Sequence, residues 1–163
     1  MSLVLFIALC YFANNYTQRL FYPKKYEEYV EKYAQEYAVP EYVVYSVILI
    51  ESDFKCDAVS QKGACGLMQL MPSTYEWLVE LTNGTVMDIF DPNENIKYGT
   101  YYLSMLYEKY KDWTLALCAY NAGTGNVDEW LKDEPFTIRF LETQHYVNKL
   151  EVAMDKYKSL YYG

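Results

Sequence analysis

Glu51 stands where a carboxyl group is hardest to keep charged. In "VVYSVILIESDF", Val43 to Phe54, a run without formal charge, apolar apart from Ser46 and the phenol of Tyr45, leads directly into this one carboxylate. A helix carrying such a run is buried around most of its circumference, so its last carboxylate has one face against apolar side chains. Desolvation then disfavours the charged form. The partial negative charge of a helix C-terminus acts in the same direction. Both effects raise the pKa, the condition under which a carboxyl group serves as a general acid near neutral pH. The bland alternative is a helix-end glutamate reaching water, which position alone makes the commoner case.

The remaining reactive side chains exclude other chemistries. Cys10, Cys56, Cys65 and Cys118 form no C-x-x-C pair, and His145 is the only histidine. A zinc site of ordinary Cys/His spacing is therefore excluded, and no nucleophile-elbow pattern accompanies His145. Asp91, Asn93 and Asn95 have calcium-loop spacing, but Ile96 and Tyr102 occupy the positions that need Gly and Glu. No metal and no cofactor are expected. Each cysteine reads as a small buried residue, with one disulfide among Cys56, Cys65 and Cys118 left open. The formal charge of -8 argues against nucleic acid as a partner, because phosphate binding needs clustered Lys and Arg.

Helices must position these groups. The 163 residues, 52% hydrophobic and 22% charged, suit one globular domain with a sizeable core. Tyr26, Tyr29, Val30, Tyr33, Ala34 and Tyr37 form one stripe at helical spacing. Pro40 opens a second helix running to about Glu51, and Pro72 opens "PSTYEWLVEL". Asp91 caps a long helix to about Tyr110, and Asp112 caps "WTLALCAYNAG", which Gly123 stops. Gly125 and Asn126 precede a short helix through Trp130, and a last helix runs from about Glu142 to Tyr161. "SQKGACG" is a loop. No segment alternates convincingly as a strand, so the architecture is all-α. Residues 1–22, with an apolar stretch from Leu3 to Ala13, are expected to be a signal peptide, a membrane anchor or a first helix. That stretch is short for a membrane span, and an export or anchoring role is favoured.

The segment after Glu51 resembles a family signature. "ESDFKCDAVSQKGACGLMQLMPSTYEWL" is similar to the soluble lytic transglycosylases, peptidoglycan-cleaving enzymes related to goose-type lysozyme. Their pattern of Glu-Ser, an aromatic, a Ser and G-A-x-G-L-M-Q-x-M-P-x-T falls on Glu51, Ser52, Phe54, Ser60 and Gly63 to Thr74. "DPNENIKYGTYYLSMLYEKY", "ALCAYNAGTGNVDEWL" and "ETQHYV" follow in family order, so the resemblance covers about Tyr22 to Tyr157.

The resemblance implies a lysozyme-like helical domain over residues 23–163, acting on peptidoglycan glycan strands. It implies Glu51 as the single catalytic acid/base and Ser60 as a contact to the sugar. Gln69, Met71 and Asn121 would line the glycan groove, Tyr120 would stand beside the catalytic carboxylate with its hydroxyl towards the cleft, and Glu142 would position substrate. It further implies cleavage between N-acetylmuramic acid and N-acetylglucosamine with a 1,6-anhydro product. The alternatives are a hydrolase of the same bond using Asp53 or Asp57, and a non-catalytic glycan-binding module. A monomer in the cell envelope, outside the cytoplasm, is expected. The chain departs from the family at Cys56 for a frequent Asn, Cys118 for Ala, Leu141 for Pro and Gln144 for Arg. The last change leaves the orientation of Glu142 open.

Overall fold

A computed structural model describes residues 3–163 as a helical domain. The helices are α1 (Leu3–Phe21), α2 (Glu27–Glu36), α3 (Glu41–Ser52), α4 (Pro72–Leu81), α5 (Pro92–Tyr110), α6 (Trp113–Ala122), α7 (Thr124–Trp130) and α8 (Leu141–Tyr157). A π-helical turn, Lys158–Tyr162, continues α8. Among the described residues there is no strand, only the isolated bridges Val59–Cys65 and Cys65–Leu70.

The helix starts follow from local chemistry. Asp91 accepts hydrogen bonds from the backbone N–H of Asn93 and Glu94, and Asp112 from that of Leu115. Each satisfies donors that a first helical turn leaves open. Pro72 and Pro92 occupy first positions, where their missing N–H costs nothing. Gly123 stops α6 with φ of 84°, a value that an L side chain rarely adopts. Two expectations shift slightly. Gly125 and Asn126 lie inside α7, and the last α-helix ends at Tyr157 before the π turn.

The centre of the domain is α3. Val43 to Ile48 are wholly buried, and α3 packs on α8 and α2, while α5 packs on α6 and α2. A smaller cluster of Leu70, Tyr75, Leu78, Val79 and Tyr98 joins α4 to α5. All four cysteines are free. Cys65 and Cys118 are buried as expected, whereas Cys10 is exposed and Cys56 partly so.

The expectation for residues 1–22 falls partly on Met1 and Ser2, which lie outside the described residues. From Leu3 on, the segment is α1, which meets the rest of the chain near its end: Arg19 donates to the Leu160 carbonyl (3.0 Å) and lies over the Tyr161 ring. Among the described residues no helix is long and apolar enough to cross a membrane.

Candidate active site

The end of α3 is built to hold a carboxylate still. After Glu51 and Ser52, Asp53 and Phe54 both adopt left-handed conformations, φ 52° and 60°. This reverses the chain, and the buried Phe54 ring packs near Tyr45. Ser52 is buried, its hydroxyl 2.8 Å from the Leu67 carbonyl and 3.1 Å from that of Ile48. The serine beside the candidate acid thus fastens the helix end to the loop of residues 63–71.

That loop is clamped from three helices. Asn95 of α5 is wholly buried; its side-chain NH2 donates to the Cys65 and Ile89 carbonyls, and its Oδ1 accepts from the Met68 N–H (2.7 Å). Tyr120 of α6 donates to the Met68 carbonyl at 2.7 Å. Ser52 of α3 completes the set. The close approach explains two glycines. A Cβ on Gly66, already at φ +76°, would lie 2.3 Å from Asn95 Nδ2, and one on Gly99 would lie 2.4 Å from Met68 Sδ.

All seven residues expected at the site line one cavity of about 450 Å³. Glu51 comes from α3, Ser60, Gln69 and Met71 from the loop and its end, Tyr120 and Asn121 from α6, and Glu142 from the first turn of α8. Several also hold structure. Ser60 Oγ accepts from the Ala64 N–H, and the Gln69 amide donates to the Ala58 and Gly66 carbonyls. Asn121 Oδ1 accepts from the buried Thr143. The expected cleft-facing hydroxyl of Tyr120 needs correction: the residue lines the cavity, but its hydroxyl donates to the Met68 carbonyl. A buried carbonyl must be satisfied, and this phenol is what satisfies it.

Burial pushes the Glu51 carboxyl from its ordinary 4.5 to about 7, against the opposing pull of a hydrogen bond from Tyr146. The Tyr146 hydroxyl donates to Glu51 Oε1 at 2.7 Å. Burial, followed by the charge of Glu51, raises the phenol's own pKa well above its usual value, so Tyr146 remains a donor. Glu51 is thus a partly buried acid with a fixed orientation, divided between its protonated and ionised forms at neutral pH.

Two residues at the site were not anticipated. Tyr146 stands in the quoted "ETQHYV", four residues after Glu142, and that spacing puts both on one side of α8. Lys62, a loop residue, reaches Glu142 Oε2 at 3.3 Å across the cavity. It supplies the cation that Gln144 does not; Gln144 instead donates to the Ile138 carbonyl. Both partners of the pair are exposed, so its contribution to stability is small and its geometry can yield to a ligand. Asp53 and Asp57 are exposed and do not line the cavity, and Asp53 leans towards Lys55. Among the described residues no group of three His, Cys, Asp or Glu could hold a metal ion.

Known proteins share this arrangement of helices. Residues 28–139 match the transglycosylase SLT domain, a span that stops just before Glu142 and Tyr146. A putative soluble lytic murein transglycosylase of Haemophilus influenzae is 35% identical over 148 residues, 83% of this chain and 25% of that protein. The 70 kDa soluble lytic transglycosylase of Escherichia coli superposes with a TM-score of 0.82 at 27% identity, over 87% of this chain and 25% of its own. A lytic transglycosylase of Pseudomonas aeruginosa gives 0.79 at 30% identity, over 85% and 24%. The chain therefore spans about a quarter of the length of these relatives. With the helical fold, the clamped loop and the family match over most of its length in agreement, the chain belongs to the transglycosylase SLT domain family.

Proposed function

We propose that the domain is a peptidoglycan lytic transglycosylase. It cleaves the β-1,4 bond between N-acetylmuramic acid and N-acetylglucosamine and leaves a 1,6-anhydro-muramic acid end. The observation that carries this reading is a high-pKa acid, Glu51, facing a cavity whose only other carboxylate among the described residues, Glu142, is paired with Lys62. Two-carboxylate glycosidases place a second group to attack the sugar or to activate water. Here the substrate supplies it. Glu51 protonates the glycosidic oxygen as the bond to the anomeric carbon breaks, and the acetamido carbonyl stabilises the positive charge developing there. The ionised Glu51 then removes the proton of the C6 hydroxyl as that oxygen bonds to the anomeric carbon. The acid ends protonated, as it began, and no water is consumed. Tyr146 holds the carboxyl in one orientation through both steps, and Glu142, Met71 and Asn121 seat the glycan.

Digests of purified peptidoglycan test the reaction. The expected muropeptides are one water lighter than hydrolysis products, with no new reducing ends by mass analysis. Reducing-end products as the main species would overturn the reading and promote Glu142, the other carboxylate that lines the cavity, to general base. A second test reads the acid itself. Tyr146→Phe removes the hydrogen bond that favours the ionised carboxylate, so the Glu51 pKa rises further. The alkaline limb of the kcat/KM profile, where the acid form is lost, should move to higher pH. A limb that stays in place or moves down contradicts the assignment of the acid.

Residues 23–163 form the catalytic domain in this proposal, working as a monomer in the cell envelope. Residues 1–22 carry it out of the cytoplasm, a reading supported by the apolar stretch from Leu3 to Ala13 and by where peptidoglycan lies. Fusing residues 1–22 to a reporter active only after export checks this. A wholly cytoplasmic reporter leaves α1 as an ordinary helix of the domain.

A further inference from the structure

The cavity at Glu51 must admit a charged substrate into an acidic protein. The chain carries a formal charge of -8, and Glu51 and Glu142 both line the cavity. Muramic acid differs from glucosamine by a lactyl ether at C3 that ends in a carboxyl group, either free or joined to a peptide with carboxyl groups of its own. Each form brings negative charge towards walls of like sign, which weakens binding and slows encounter. Among the described residues that line the cavity, Lys62 is the one cation.

Lys62 is placed to meet that charge. Its backbone sits in a tight turn closed around Ser60. The Ser60 carbonyl accepts from the Gly63 N–H at 3.0 Å, the Ser60 hydroxyl accepts from the Ala64 N–H at 3.0 Å, and the Ser60 N–H donates to the Ala64 carbonyl at 2.9 Å. Gly63, at φ +86°, takes the left-handed conformation that the turn requires. Beyond this fixed backbone the Lys62 side chain is 78% exposed. Its contact with Glu142 is loose: Nζ lies 3.3 and 3.4 Å from the two carboxylate oxygens. Lys109 approaches Asp128 to 2.6 Å, and Lys111 approaches Glu108 to 2.7 Å. Glu142 does not depend on the pair, because it stands in the first turn of α8, where the partial positive charge of the helix end favours a carboxylate. Parting so exposed a pair therefore costs little.

We infer that Lys62 is a specificity residue of this site, which on binding exchanges Glu142 for a carboxylate borne on the C3 lactyl arm of a muramyl residue, either the lactyl carboxylate itself or one on an attached peptide. The inference rests on the glycan-cleaving reading given above. The exchange keeps Lys62 paired in both states and releases Glu142 to the sugar. A strand of N-acetylglucosamine alone offers no carboxylate and leaves the Lys62–Glu142 pair closed across the cavity. Lys62 thus separates muramyl from glucosaminyl residues, whose rings are otherwise alike.

Calorimetric titration of the full chain tests this, in a Glu51→Gln background that prevents cleavage. Three β-1,4-linked tetrasaccharides serve as probes: N-acetylglucosamine alone, alternating N-acetylglucosamine and N-acetylmuramic acid with free lactyl carboxylates, and the same alternating strand carrying peptides. The muramyl strands are expected to bind more tightly than the neutral one, and adding Lys62→Gln should cut that preference about two- to fivefold. Lys62→Arg should keep most of it. Raising the salt to about 0.5 M should weaken the preference in the parent but not in Lys62→Gln. A drop with the peptide-free strand assigns the contact to the lactyl carboxylate, and a drop with the peptide-bearing strand alone assigns it to the peptide. Adding Glu142→Gln to Lys62→Gln separates contact from masking: a preference restored by that change means that Lys62 merely screens Glu142, and overturns the inference. A preference unchanged by Lys62→Gln, or lost as fully with Lys62→Arg, also overturns it and leaves the catalytic reading intact. A chain that binds no probe, with wild type leaving peptidoglycan uncut, overturns both.

Discussion

Glu51→Gln is expected to lower turnover of purified peptidoglycan by on the order of 10²-fold or more, with glycan binding retained. Gln keeps the shape of the side chain and can still accept from Tyr146. It has no proton to give to a glycosidic oxygen and no anionic form to take one from the C6 hydroxyl. In the proposed mechanism both half-reactions fail together, because one group would serve both. The size of the loss also distinguishes this mechanism from a shared one. Were Glu142 or an aspartate able to act in its place, part of the activity would persist. The cavity offers little such redundancy, since Glu142 is exposed beside Lys62 and not desolvated like Glu51, and Asp53 and Asp57 lie outside. Turnover near the wild-type level would remove Glu51 from the chemistry.

The elements were legible in the sequence wherever a local rule decides them. Asp91 with Pro92, Asp112, Pro72 and Gly123 act on backbone groups within a turn of themselves, so their effects can be read from neighbours alone. Glu51 was legible for a related reason: the length of the apolar run before it fixes how deeply α3 is buried, whatever packs against it. The partners of these residues are another matter. Tyr146 meets Glu51 from 95 residues away, and Lys62 meets Glu142 from 80. Such contacts depend on how α8 lies across α3 and on where the loop turns, which no local pattern encodes. The clamp made by Ser52, Asn95 and Tyr120 was hidden in the same way. Each reads locally as a polar residue near a helix end or on a helix face, and only the fold shows that all three serve the backbone of one loop. The hydroxyl of Tyr120 shows the cost of reading such a residue alone. A phenol beside a cleft suggests a ligand contact, yet the unmet carbonyl of Met68 lay closer.

The same burial that makes Glu51 an acid should make the wild-type domain less stable than Glu51→Gln in alkaline solution. With its pKa raised from 4.5 to about 7, the folded protein holds this proton more tightly than the unfolded chain does. The resulting stabilisation is complete below the unfolded pKa and is lost as pH rises through about 7, because the folded state must then either keep a costly charge or open. A shift of this size is equivalent to about 3 kcal/mol, a substantial part of a typical domain's total stability. Gln has no charge to bury at any pH, and every other titrating group is common to both proteins. The difference in Tm between variant and wild type should therefore widen by about 6 to 12 °C between about pH 4 and pH 8, with the variant higher at the alkaline end. Thermal melts across that range read it directly. A difference independent of pH would mean that Glu51 ionises as freely in the fold as in the unfolded chain, which is the solvated helix-end glutamate that its position alone also allowed. A widening difference would mean that the active site holds its proton at the expense of the fold. The stability lost on alkaline titration would then be the same desolvation that readies the acid for donation, measured without any substrate.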